Sequence, residues 1–141
     1  LLVTNCGQFG LALNFGGKYD FKHCTFANYY STLSRQTPNI LLNNYYEDIN
    51  GTMQNRDLEQ ANFSNCIIYG DNENELLLDN NNESLFNYNF DHCLVKIDTT
   101  IYNPLNDPYF NQCLINSDPN FIDINICVSS QSNYCLIIFR N

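Results

Sequence analysis

Few side chains in this chain are equipped for chemistry, and several of them recur in one slot. The only two histidines, His23 and His92, each stand immediately before a cysteine, Cys24 and Cys93. An imidazole titrates near neutrality and serves as a base or metal ligand, so the pairing suggests an activated thiol. In an extended chain, however, adjacent side chains point to opposite faces, and a buried thiol is inert. Asn5, Asn65 and Gln112 occupy the same slot before Cys6, Cys66 and Cys113. A position that accepts Asn, Gln and His is read as a repeated polar corner.

The acids and bases do not assemble into a known catalytic pattern. Asp71, Glu73 and Glu75 alternate like the start of a calcium loop, but its sixth position holds Leu76 and its twelfth Asn82 instead of Gly and Glu. A solvated acidic loop is the expectation. Hydrolysis of a polysaccharide needs two carboxylates flanking the scissile bond, and a lyase needs a base among matched acids. Arg35 and Arg56 are expected in loops without such a set. No Cys-x-x-Cys pair is present for zinc, and no cofactor or catalytic residue is expected. Paired tyrosines, Tyr29-Tyr30 and Tyr45-Tyr46, offer flat rings with polar edges that suit sugars. The candidate ligand residues are Tyr30, Tyr46, Asp48 and Arg56. Packing of one tyrosine of each pair is the alternative. Asn-x-Ser/Thr strings begin at Asn50, Asn62 and Asn82, with Asn62 beside a buried strand.

The elements that must position these residues follow from a repeat. An aromatic, two residues, a cysteine and then an apolar residue two places on recur as Phe21-x-x-Cys24-x-Phe26 and Phe63-x-x-Cys66-x-Ile68. The pattern returns as Phe90-x-x-Cys93-x-Val95 and Phe110-x-x-Cys113-x-Ile115, with Val3-Thr4-Asn5-Cys6 a truncated copy. Self-similarity at this spacing marks stacked turns of a solenoid. Phe63 and Cys66 would face opposite ways in one straight strand. Both face inward only if the chain bends between them, at the polar pairs Lys22-His23, Ser64-Asn65, Asp91-His92 and Asn111-Gln112. Further strands are expected at 11–15, 39–45, 75–79 and near Phe121, with no helical stripe. The cysteines of the slot are 18, 42, 27 and 20 residues apart. The long interval implies two turns or one turn with an excursion, and the polar stretch 46–60 favours a protruding loop.

Seven cysteines, an odd number with five in one slot, read as a ladder of buried thiols filling the interior. Disulfides stay open as an alternative. A leucine-rich repeat shares the first offsets, but Tyr29, Asp71, Asp98 and Asp118 stand where it needs Asn. The 25 asparagines among 141 residues point to many turns, since Asn tolerates left-handed backbone. The net charge of -9 excludes a phosphate-backbone partner, which requires clustered Lys and Arg. No apolar run approaches the ~20 residues of a membrane span.

The strings Phe63-Ser-Asn-Cys-Ile-Ile-Tyr-Gly70, Asn106-Asp-Pro-Tyr-Phe110 and Ser117-Asp-Pro-Asn-Phe-Ile-Asp123 resemble right-handed parallel β-helix repeat proteins of the bacterial cell envelope. The likeness is to the subset with a C-terminal choice-of-anchor region. That resemblance implies an all-β, pectin-lyase-like right-handed parallel β-helix of about five irregular coils over 1–123. Residues 124–141 are a divergent tail that departs from the family. It further implies export, a place on the cell surface, and a segment of a longer polypeptide. In a bacterial chain the Asn-x-Ser/Thr strings carry no weight. The expected role is non-enzymatic, presenting loops to polysaccharide or cell-surface glycan. The rival is part of a polysaccharide lyase or glycoside hydrolase whose catalytic residues lie outside this piece.

Overall fold

The computed structural model describes residues 1–30, 34–123 and 138–139. The chain passes repeatedly through three parallel sheets in the same order. A first pass runs β1 (Leu2–Thr4), β2 (Leu11–Leu13) and β3 (Gly17–Lys22). A second runs β4 (Thr25–Asn28) and β5 (Ile40–Asn43), diverts through β6 (Tyr45–Glu47) and β7 (Met53–Asn55), and returns in β8 (Leu58–Ser64). The third is β9 (Ile67–Gly70), β10 (Leu76–Asp79) and β11 (Phe86–Asp91). The next comprises β12 (Leu94–Val95), a 3-10 turn at Pro104–Asn106 in place of a second-sheet strand, and β13 (Phe110–Asn111). The short β14 (Leu114–Ile115) follows, and β15 (Phe121–Asp123) pairs antiparallel with β16 (Ile138–Phe139).

Three sheets result, ordered β1-β4-β9-β12-β14, β10-β5-β2 and β13-β11-β8-β3, all with parallel neighbours. Register keeps like with like. Phe26 pairs with Ile68 and Ile68 with Val95 in the first sheet, while Phe21, Phe63, Phe90 and Phe110 align in the third. These four rings stack with centroids 4.7, 4.8 and 4.7 Å apart, the ordinary spacing between strands. The whole inward set expected from the repeat joins one hydrophobic cluster with Ile40, Leu42 and Leu76 of the second sheet. Burying a phenylalanine as completely as Phe63 contributes about 1.5–3 kcal/mol.

The corner between third and first sheets falls on the polar pairs, at the second member of each. Lys22, Ser64, Asp91 and Asn111 are the last residues of their strands. The turn is made by the next residue, in left-handed backbone at His23, Asn65, His92 and Gln112, with φ between 49 and 53°. Asn5 shares that angle but follows β1 in the first sheet, where Val3 aligns with Phe26, so Val3-Thr4-Asn5-Cys6 is not a truncated copy of the corner. That conformation favours Asn and His among residues with a Cβ, which accounts for both histidines. It also sends backbone donors both ways. His23, Asn65 and His92 donate N–H to Ser64, Asp91 and Asn111 of the following pass, while Thr25, Ile67, Leu94 and Leu114 donate to Leu1, Cys24, Cys66 and Cys93 of the preceding one.

The cysteine then points inward. Cys24, Cys66 and Cys93 are buried, and these with Cys6 and Cys113 are free thiols. Each sulfur lies near the carbonyl two residues before it, and Cys66, Cys93 and Cys113 also reach the phenylalanine carbonyl of the pass below, at 3.5, 3.4 and 3.5 Å. Contact with Cys113 and Cys66, together with burial, holds the Cys93 thiol well above its ordinary range, so it stays protonated. Cys127 and Cys135, like the expected divergent tail up to residue 137, lie outside the described residues. Asn65 tests the corner. Substituting Val, which resists positive φ, should cost at least ~1–2 kcal/mol in urea unfolding, while Asn65→Gly should stay within about 0.5 kcal/mol. Equal losses would remove backbone conformation as the reason for this slot.

Candidate functional site

The stretch 46–60 is not the strandless loop its polarity suggests. β6 and β7 form an antiparallel hairpin, with Tyr46 opposite Gln54 and Glu47 opposite Met53, and β8 already begins at Leu58. Its base is fastened to the scaffold. The Tyr45 hydroxyl donates to Asp79 at 2.5 Å, the Arg56 amide donates to the Asn44 carbonyl, and Asn55 donates to Glu83 at 2.7 Å. Buried Asn44 in turn donates its amide to Asn80 and to the Ser84 carbonyl, which holds the 80–84 loop against the hairpin.

Three of the four candidate ligand residues come together here. Arg56 lies over the Tyr46 ring, 5.2 Å from its centroid, and donates to its hydroxyl at 3.1 Å. Asp48 opens the hairpin turn. Its Oδ1 accepts from the Asn50 and Thr52 amides at 2.9 and 3.0 Å, and its Oδ2 accepts from Gln54 at 2.9 Å. These bonds, from Thr52 and Asn50 foremost, hold the Asp48 carboxyl below the usual carboxylate range. Its oxygens therefore organise the turn first. Tyr30 makes none of these contacts and lies half-buried after β4, where its ring borders Gly7.

Phe15 completes the cluster and was invisible in the sequence. Its ring packs 4.7 Å from Tyr46 and remains 64% exposed. The placement depends on Gly16, whose φ of +70° and approach to the Asp57 carbonyl leave no room for a Cβ. Met53 and Ile49 add exposed apolar surface along the same hairpin. The outcome is an aromatic and cationic patch standing on a rigid base.

A second polar constellation is structural, and it corrects two expectations. Glu75 does not belong to a solvated acidic loop, and Arg35 does not lack an acid. Both are buried, with guanidinium and carboxylate joined at 2.9 and 2.5 Å. Glu75 also accepts from the Asn39 and Asn72 amides, each at 2.9 Å, and Arg35 donates to the carbonyls of Asn28 and Thr37. Burial pushes the Glu75 carboxyl up, while Arg35 and the two amides pull against it. A Cβ on Gly70 would lie 2.2 Å from Glu75 Oε1, so only glycine fits there. The pair ties the 34–39 segment to the start of β10, joining the first sheet to the second.

A third cluster braces the 3-10 turn. The Tyr88 hydroxyl donates to Asp107 Oδ2 at 2.6 Å, and Tyr102 donates to the same oxygen. Burial pushes both phenols up, Tyr102 to about 12, so both remain protonated donors. His23 and His92 are exposed beside buried cysteines, which rules out the imidazole–thiol pair. No group of three or more His, Cys, Asp or Glu among the described residues is arranged to hold a metal ion. Among the same residues no helix is long and apolar enough to cross a membrane. Comparison of the chain with protein-family models, curated proteins and solved structures gave no match.

Two measurements separate these roles. Arg35→Met alone leaves a buried carboxylate unpaired and should cost about 3–5 kcal/mol, whereas Arg35→Met with Glu75→Leu should recover most of that loss; denaturant midpoints decide. Asp48 gives a pH signature. Its folded pKa is depressed, so its contribution to the turn is complete above the unfolded value, about pH 4, and fades as pH falls through the lower folded value. Amide shifts of Asn50 and Thr52 should move together below that point, and Asp48→Asn should abolish the transition.

Proposed function

We propose that this chain is a segment of a right-handed parallel β-helix belonging to an exported cell-surface protein, and that its role is binding. Three observations support the architecture: one repeating order of three parallel sheets, a shared interior, and aromatic stacking at the strand spacing. The right hand follows from the strong preference of parallel crossovers for that sense. In this reading the coils are the scaffold and the hairpin 45–55 is the presented element.

The observation that carries the binding role is the Phe15–Tyr46–Arg56 cluster. Aromatic rings and a guanidinium are the side chains most often found at binding hot spots. Phe15 packs one side against Tyr46 and leaves the rest of its ring open beside Arg56, so exposed aromatic and cationic surface lie together rather than singly. The ligand class is a glycan of polysaccharide or cell-surface origin. The free Phe15 surface would stack on a sugar ring, with Arg56 and the Tyr46 hydroxyl supplying hydrogen bonds. Asp48 supports the ligand by fixing the turn, and Tyr30 stands outside this contact.

Titration of a polysaccharide panel followed by calorimetry tests the role. At least one polymer should bind, with Phe15→Ala and Arg56→Ala each weakening affinity about tenfold, or ~1.4 kcal/mol. No binding across the panel, or binding unaffected by both substitutions, would end the proposal. Release of new reducing or unsaturated ends would replace it with an enzymatic one.

A further inference from the structure

Three Asn-x-Ser/Thr strings run through the chain, and the fold places them in different environments. Asn50-Gly51-Thr52 forms the tip of the hairpin, and all three residues are exposed. Neither the Asn50 side-chain amide nor the Thr52 hydroxyl makes a hydrogen bond to another described residue. Gly51 has φ of +77°, and Asp48 gathers the Asn50 and Thr52 amides around one carboxylate oxygen. The string is therefore already looped and faces solvent on every side.

The others are committed elsewhere. Asn62 lies within β8, paired on one side with Asp20 and on the other with Asn89. It stands between fully buried Ala61 and Phe63 and donates its amide to Asp20 at 2.9 Å. Presenting it to an enzyme would require pulling a central strand from its sheet. Asn82 is exposed, but Ser84 of its string donates its hydroxyl to the carbonyl of buried Asn44 at 3.1 Å. Freeing that hydroxyl would unfasten the loop that holds the hairpin base.

We infer that Asn50 is an acceptor for N-linked glycosylation in the folded protein, and that Asn62 is not. The donor class is an oligosaccharide carried on a polyprenyl diphosphate, transferred by an oligosaccharyltransferase. Asn50 Nδ2 forms a C–N bond to the anomeric carbon as the bond from that carbon to the diphosphate oxygen breaks. The polyprenyl diphosphate leaves with the electron pair, and the Nδ2 proton passes to the transferase. A glycan attaches without strain only at an exposed surface loop, and the hairpin tip meets that requirement. In the cell the modification presumes the exported location proposed above and a host that carries such a transferase; it departs from the expectation, drawn only from the bacterial resemblance, that these strings are silent.

The test is run on the purified folded chain with a purified oligosaccharyltransferase and a polyprenyl-diphosphate oligosaccharide, so it depends on neither export nor the hairpin's ligand. Peptide mass spectrometry should find Asn50 occupied at least tenfold more than Asn62. Asn50→Gln and, separately, Thr52→Ala should each remove that modification, while Asn62→Gln should leave it unchanged. The urea-unfolded chain should lose the discrimination and accept at Asn62 as well. A folded chain left unmodified at Asn50 while the unfolded chain is modified there would overturn the inference. Equal occupancy of Asn50 and Asn62 in the folded protein would do the same.

Discussion

The structure depends on a single backbone angle repeated down one edge. Where the third sheet meets the first, one residue per pass adopts left-handed backbone, and this turns the following cysteine into the interior that the phenylalanine three residues earlier already faces. Without it the strand alternation would send Cys66 outward as Phe63 went in. Because the corner amides bond to the passes above and below, it also fixes how far each pass is displaced from the last. The ring column and the thiol column both inherit their spacing from that corner.

The opposite side of the interior is held differently. Between the first and second sheets no repeated residue recurs, and the connection 29–39 is long. Here the Arg35–Glu75 pair, with Asn39 and Gly70 packed around it, sets the path of the chain. An ion pair sealed from water contributes little net stability compared with a well-packed apolar substitute. Its effect is to forbid other routes for the loop, since any alternative strands a charge in the interior. Repetition governs one corner and a unique polar lock governs another.

Much of the interior was legible in the sequence because it is periodic. The aromatic, the cysteine and the apolar residue after it name the inward set directly, and the strand beginning near Leu76 follows from its leucines. The polar pairs located the bend, and the preference of Asn and His for left-handed backbone singles out Asn65 over Ser64 within its pair. Arg35 and Glu75 are 40 residues apart and belong to different passes, so no spacing rule joins them. In retrospect one clue existed: register aligns Ile40 with Leu76, placing Glu75 in the slot of buried Asn39. The turn-building role of Asp48, a candidate ligand residue by sequence, rests on bonds from the Asn50 and Thr52 backbone amides, which leave no trace in residue type. Phe15 escaped notice because its meeting with Tyr46 depends on Gly16 and on a hairpin that polarity disguises.

Among the described residues the four rings of the column are not equivalent. Phe63 and Phe90 each have a ring on both sides and no exposure, whereas Phe21 and Phe110 are flanked on one side only within the column and stay partly open to water. Cooperativity in such a stack passes between nearest neighbours. Among these four rings the inner pair takes contacts from both neighbours, so a cavity opened at Phe63 or Phe90 is felt on two passes, and one at Phe21 or Phe110 on a single pass within the column.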